Sequence, residues 1–242
     1  MQGKWDYLVY IDLFAGPGKS QIETTNKIVL ASPLVVMNLP IRFDRYIFCE
    51  IDVEKMKSLQ QRIRNEYNGI DARFLLGNTN ILVDKIFDEM PQYGKDKKVL
   101  SFCFADPYNL KSLNFSTIQR LSERYMDFLI LLPIHMDARR ALKTYLRPES
   151  ENIDNFTGVE NWREEWNEAQ LKGTQFDVFF INIYRRQMEK LGYTYNGVPE
   201  SIKYSERNLS LYWLGFFSRH QLGEKFWSAA QKSSNPQLKL DL

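Results

Sequence analysis

Three carboxylates and one amide close four apolar runs in the first half of the chain. Asp12 follows Tyr7 to Ile11, Glu50 follows Tyr46 to Cys49, Asn78 stands behind Gly77 after Ala72 to Leu76, and Asp106 follows Val99 to Ala105. Asp12 leads through Phe14 into the turn Gly16-Pro17-Gly18. Glycines in such a turn let the backbone come close to a ligand. A carboxylate like Glu50 can accept bonds from two ribose hydroxyls, and an amide like Asn78 can read an adenine edge. Asp106, followed by Pro107-Tyr108, can hold or deprotonate an amine while the tyrosine ring covers a planar acceptor. Together these residues suit an adenosine-like ligand with an amino-acid end, and S-adenosylmethionine fits that description. Asp12, Phe14, Gly16, Gly18, Glu50, Asn78 and Asp106 are therefore the expected cofactor contacts, and Asp106 and Tyr108 the expected catalytic pair.

These residues must sit at one edge of a sheet. Strands are expected at Leu8 to Leu13, Tyr46 to Glu50, Ala72 to Leu76, Val99 to Ala105 and Asp127 to Leu132. Between them, Met56, Leu59, Ile63 and Tyr67 recur at helical spacing, and Asn80 to Met90 and Phe115 to Arg124 also read as helices. Ser32-Pro33 reads as the capped start of a short helix, with Ser32 as the cap and Pro33 in the first helical position. The strands are unbroken apolar runs, the pattern of strands buried on both faces in a parallel sheet. In such sheets ligands sit beyond the carboxyl ends of the strands, where the polar residues fall. Further on, Phe176 to Leu191 is a helix closed by Gly192, Ile202 to Tyr204 and Leu209 to Ser218 form a hairpin, and Gly223 to Gln231 is a final helix. The expected fold is α/β and Rossmann-like: the class I methyltransferase architecture, mostly parallel with a C-terminal antiparallel hairpin. One domain of 242 residues is expected, with a helical insertion at about 135–175, after the fifth strand.

Rival chemistries fit less well. Gly18-Lys19-Ser20 resembles the end of a phosphate-binding loop, but the position where that loop needs its first glycine is Leu13, inside a strand. A dinucleotide fingerprint needs a third glycine where Gln21 stands, and its acid about 20 residues on, whereas Glu50 lies 34 residues after Gly16. The stretch from Ser20 to Val29 reads as an extra loop that accounts for the excess. Two cysteines and two histidines leave little material for a zinc site, so no metal is expected. Cys49 and Cys103 lie in strand-like runs and read as buried free thiols, which suits a reducing cytoplasm. No apolar run reaches the roughly 18 residues of a membrane span, and the first residues lack the apolar core of a signal peptide. A cytoplasmic protein is expected. The net charge of +2 from 32 basic and 30 acidic residues demands no nucleic acid and forbids no local basic patch.

The combined pattern resembles the three-Cys-motif partner protein family, TcmP, whose members are class I methyltransferase-like. The resemblance rests on Tyr10-Ile-Asp-Leu-Phe-Ala-Gly-Pro-Gly18, Ala31-Ser-Pro-Leu34, Phe104-Ala-Asp-Pro-Tyr-Asn-Leu110 and Met126-Asp-Phe-Leu-Ile-Leu131. It continues in His135-Met-Asp-Ala-Arg139, Trp162-Arg163, Gln187 to Tyr193, and Leu211 to Trp227. It implies a protein with a three-cysteine motif as partner, and it implies no catalytic residue. Asp106-Pro107-Tyr108 also resembles the Asp-Pro-Pro-Tyr motif of amino-methyltransferases, one proline short, so that Tyr108 sits one residue early. The expected function is methyl transfer from S-adenosylmethionine to nucleic acid, with an exocyclic base amine as acceptor. The alternative is a non-catalytic partner that keeps the nucleotide-binding fold.

The insertion carries Arg139, Arg140, Lys143 and Arg147, with Tyr145, Trp162 and Trp166 interleaved. Positive groups among aromatics suit phosphates and unstacked bases, so Arg139, Arg140 and Arg147 are expected contacts for DNA, RNA or the protein partner. Glu149, Glu151, Glu160, Glu164 and Glu165 offset them, which fits a solvated helical face equally well. His135, after the fifth strand, reads either as a base or as a loop histidine.

Overall fold

A computed structural model describes residues 5–22, 25–94, 97–134, 139–196, 200–204 and 209–233. The chain divides into two compact units: residues 1–105 with 124–126 and 241–242, and residues 106–123 with 127–240. The architecture is mixed α/β, mostly parallel, with antiparallel C-terminal strands.

In the first unit β1 (Tyr7–Asp12) lies between β4 (Arg45–Glu50) and β6 (Val99–Ala105), parallel to both, and β5 (Ala72–Leu76) runs parallel on the outer side of β4. One face of this sheet is aromatic. Tyr10, Tyr46, Phe48, Phe74, Phe102 and Phe104 form a packed layer with Leu34, Val36 and Met37 of α1 (Ser32–Met37) and with Leu59 and Ile63 of α2 (Val53–Glu66). Tyr10 stacks on Phe102 at 6.2 Å and Tyr46 on Phe48 at 6.1 Å between ring centroids. Broad β-favouring rings on one face fill the space between sheet and helices. β1 and β4 are buried nearly end to end, as their apolar runs predict, while β6 alternates buried and half-buried positions. Cys49 and Cys103 are buried free thiols, and burial raises the pKa of both.

The helix starts differ from the sequence reading. The cap of α1 is Ala31, which has no side-chain capping bond, because Ser32 is inside the helix. The Ser32 hydroxyl instead donates to Asp12 at 2.6 Å. α2 is capped by Asp52, whose carboxylate accepts from the amides of Glu54 and Lys55. The helix expected over residues 80–90 is split into a 3-10 turn, Thr79–Ile81, and α3 (Val83–Glu89). The stretch read as an extra loop contains a small hairpin, β2 (Lys19–Gln21) against β3 (Ile28–Leu30).

The second unit contains α4 (Phe115–Leu121), β7 (Met126–Leu132), α5 (Arg139–Tyr145), α6 (Asn152–Thr157), α7 (Trp162–Leu171) and α8 (Phe176–Lys190). They are followed by β8 (Tyr195–Asn196), β9 (Glu200–Tyr204), β10 (Leu209–Ser218) and α9 (Gln221–Ser233). β10 is antiparallel to β7 on one side and to β8 and β9 on the other. The insertion is helical, as expected, but its aromatics are not available to bases. Tyr145, Trp162 and Trp166 are buried, with Trp166 edge-on to Phe176 at 5.0 Å and Trp162 at 6.2 Å. Burying large rings is what lets these short helices pack on α8. Arg163 staples the same region. It pairs with Asp154 at 2.9 Å, lies 4.7 Å from the Trp162 ring, and donates to the carbonyls of Tyr145, Arg147 and Ser150. Among the described residues no helix is long and apolar enough to cross a membrane.

Candidate functional site

The parallel order of the first unit brings the carboxyl ends of β1, β4, β5 and β6 to one edge. Asp12 lies level with Phe48 of β4 and Phe104 of β6, so Glu50 stands two residues further out. Leaving β1, the chain turns at once. Leu13 donates its amide to the Phe104 carbonyl, as if the strand continued, while Ala15, one residue out of register, donates to the Cys49 carbonyl. Gly16 and Gly18 then adopt positive φ, +61° and +81°, a conformation that costs a residue with a Cβ. At Gly18 a Cβ would also meet Leu59 at 2.9 Å; at Gly16 it would meet nothing within 4 Å. Gly16 thus faces open space at the strand edge, where a ligand can approach the backbone.

Glu50 binds this turn. Its Oε2 accepts from the Gly16 amide at 2.8 Å and its Oε1 from the Asp52 amide at 2.9 Å. The carboxylate is only 5% exposed. Each oxygen keeps a second lone pair for a hydroxyl donor. Asp12 is fully buried. Its oxygens accept from the Phe14 amide, the Ser32 hydroxyl and the Tyr10 hydroxyl at 3.1, 2.6 and 3.3 Å. The Tyr10 phenol is pushed well above its ordinary pKa by burial first and by Asp12 next, so it stays a donor. Asp12 therefore shapes the turn from beneath, and Phe14, half-buried, is part of that turn. Arg62 of α2 donates to the Pro17 carbonyl, and Gly18 accepts from the Ala31 amide.

At the end of β5, Gly77 takes φ +144° and donates to the Glu50 carbonyl at 2.9 Å. Asn78 is exposed and caps the 3-10 turn, its Oδ1 accepting from the Asn80 amide at 3.0 Å. That leaves the amide nitrogen of Asn78 as its donor. Two apolar residues at this edge carry no chemical signal in the sequence. Ile51, next to Glu50, is 65% exposed, and Ile81, in the 3-10 turn, is 79% exposed. Large apolar side chains so open at the ends of neighbouring strands offer flat, dewettable surface to a planar ring.

In the second unit, Asp106 follows directly on β6. Its side chain reaches solvent, yet the protein crowds it enough that desolvation raises its pKa above the ordinary carboxylate range. Pro107 is buried and Tyr108 is 71% exposed. The sequence reading did not single out Tyr212 of β10, which is half-buried and whose phenol is raised in pKa by burial first and by the charge of Asp106 next. No spacing rule could have found it, because the two are 106 positions apart in the chain. Arg147 is exposed, after α5, and its carbonyl is held by Arg163. Arg139 and Arg140 lie in α5, their side chains outside the described residues, as is His135.

No protein-family model matches the chain, and no curated protein sequence matches it. Among solved structures it is similar to protein LPL1258 from Legionella pneumophila, with 11% identity over 88% of this chain and 78% of the other and a TM-score of 0.49. It is also similar to Trm1 from Pyrococcus horikoshii, solved with S-adenosyl-L-methionine, with 8% identity over 91% and 53% and a TM-score of 0.42. A third, geranyl diphosphate C-methyltransferase from Streptomyces coelicolor, solved with S-adenosyl-L-homocysteine, has 13% identity over 89% and 72% and a TM-score of 0.40.

Proposed function

We propose that the protein is an S-adenosylmethionine-dependent methyltransferase acting on nucleic acid, with an amine of a base as acceptor. The observation that carries this reading is the bond from the Gly16 amide to Glu50. It ties the open glycine turn after β1 to the acid after β4, two groups that an adenosine-type ligand would need side by side. Gly16 and Gly18 would take the amino-acid end against the backbone, in a turn that Asp12 and Phe14 shape. Glu50 would accept the ribose hydroxyls through its remaining lone pairs. Asn78 would meet the adenine edge, and Ile51 and Ile81 would cover the ring. When bound, S-adenosylmethionine supplies an electrophilic methyl group on a sulfonium. The protein's own task is then alignment and handling of one proton. Asp106 would hold the acceptor amine by its N–H and take up the proton that the nitrogen loses on methylation. Tyr108 would offer its exposed ring to the base, and Arg147, with Arg139 and Arg140, would meet phosphate.

This reading also predicts a protein with a three-cysteine motif as partner, from the sequence resemblance. The test is calorimetry with S-adenosylhomocysteine on the wild type and on Glu50→Gln. The glutamine keeps one acceptor for the turn but loses the charge. Affinity should fall by about 1–3 kcal/mol while thermal stability changes less. Equal affinity in the variant removes the ribose role from Glu50. A wild type that binds neither this ligand nor S-adenosylmethionine leaves the chain as a binding partner on a methyltransferase-like frame.

A further inference from the structure

The glycine turn is gripped from α2 at Pro17, Gly18 and Lys19 in succession. The Pro17 carbonyl accepts from the Arg62 guanidinium. Gly18 lies so close to Leu59 that a Cβ there would stand 2.9 Å from the leucine Cδ1. The Lys19 ammonium pairs with the Glu66 carboxylate at 2.7 Å. Leu59, Arg62 and Glu66 stand at i, i+3 and i+7, so they lie along one stripe of the helix. Glu66 is not there for the sake of the helix. It is the last residue of α2, where an acid opposes the helix dipole, and its partner belongs to the turn. The turn's backbone is held as well: the Gly16 amide donates to Glu50 at 2.8 Å and the Gly18 carbonyl accepts from the Ala31 amide at 2.9 Å.

We propose that Arg62 and Glu66 are positioning residues, a two-point latch through which α2 fixes the shape of the turn that receives the amino-acid end of the ligand. They act through Pro17 and Lys19, not by touching the ligand. The proposal rests on the S-adenosylmethionine reading of this turn. Two glycines at positive φ flank one proline, and glycine loses more conformational freedom on ordering than any other residue. A loose turn would lose that freedom when the ligand arrives, at the expense of affinity. A turn already fixed by α2 binds without that cost. The two anchors differ in strength. Arg62 and Pro17 are both half-buried, and their bond is charge-assisted. The side chains of Lys19 and Glu66 remain 30% and 43% exposed, so their pair contributes less. Arg62 is therefore the main anchor and Glu66 the auxiliary one.

The experiment uses the full chain and two readouts. One is S-adenosylhomocysteine affinity by calorimetry. The other is hydrogen exchange of the Gly16 amide in the free protein, whose bond to Glu50 reports the closed turn. Arg62→Met keeps an apolar stem and removes the donors. It should weaken the ligand about 3- to 10-fold and speed exchange in the turn. Arg62→Lys keeps a donor and should recover part of both. Lys19→Glu and Glu66→Lys should each weaken the ligand about 2- to 5-fold, and the double swap should restore it. Ile63→Val is the control for a merely structural role. Ile63 is buried on the same helix, so this change should lower the denaturation midpoint and leave affinity as it was. Where the wild type binds, wild-type affinity in Arg62→Met overturns the latch. So does an equal loss of affinity in Ile63→Val. A double swap no better than its single changes removes Glu66 from the latch. A wild type that binds neither S-adenosylhomocysteine nor S-adenosylmethionine removes the cofactor reading. Exchange then decides on the latch: faster exchange in Arg62→Met upholds it, and unchanged exchange overturns it.

Discussion

At the scale of single residues, the protonation of Asp106 should control the acceptor side. Its carboxyl titrates above the ordinary range because desolvation penalises the charge. An ionised Asp106 is needed to accept an N–H, so acceptor binding should be full at high pH and be lost as pH falls. The loss should begin at a pH above the value of about 3.9 typical of aspartate. In Asp106→Asn that limb of the profile should vanish, leaving weaker binding that does not change across the same range. A limb that persists in the variant belongs to another group. The places of Glu50 and the glycine turn were legible in the sequence because each closes an unbroken apolar run, and both do end strands, β4 and β1. Their bond to each other was not, because Gly16 and Glu50 are 34 positions apart and strand order decides whether they meet. Ser32 shows the same limit. It has the residue type of a helix cap, but its hydroxyl goes to Asp12 at 2.6 Å, where a buried carboxylate needs a donor.

At the scale of elements, the long apolar strands and α8 were readable because their pattern runs for several turns or residues. β2 and β3 were not, since three-residue strands give no alternation to detect. The aromatics of the insertion show how type misleads. Interleaved with arginines in the sequence, they suggest base stacking, yet Trp162, Trp166 and Tyr145 are buried in the packing of the insertion. The junction of β10 and α9 gives a direct test of element packing. Gly223 lies in the first turn of α9, where alanine would favour the helix by about 1 kcal/mol. A Cβ there would stand 2.3 Å from the Ser218 Cβ and 2.4 Å from its Oγ. Ser218 is fully buried, and its hydroxyl accepts from the His220 amide at 3.1 Å, so it has little room to yield. Overpacking should win, and Gly223→Ala should lower stability by about 1–3 kcal/mol in chemical denaturation. A variant as stable as the wild type would mean that α9 shifts freely on β10.

At the scale of the whole molecule, charge is nearly balanced, 32 basic against 30 acidic residues. General self-repulsion is then weak, and the pH dependence of stability falls to a few perturbed groups. Asp127 is one that no motif or spacing singles out, an acid at the start of an apolar strand. Burial pushes its pKa up to about 6, against the opposing effect of a hydrogen bond from Ser218. The folded protein therefore holds this proton more tightly than the unfolded chain, whose aspartates titrate near 3.9. Stability from this group is greatest below about pH 4 and falls as pH rises to about 6, beyond which the buried charge costs its full amount. Asp106, also raised, acts in the same sense. Asp52 acts in the opposite sense and at lower pH, since the amides of Lys55 and Glu54 hold its carboxylate down against desolvation. Comparing wild type with a single variant isolates Asp127 from both. Asparagine keeps an oxygen for the Ser218 hydroxyl and removes the charge. Asp127→Asn should be more stable by about 1–2 kcal/mol at pH 8, after discounting for solvent that still reaches the group. Denaturation midpoints should show the gap closing through pH 6 to 4 and gone below that. A gap that stays constant with pH would assign the gain to packing, and a less stable variant at pH 8 would show that the charge has a favourable partner.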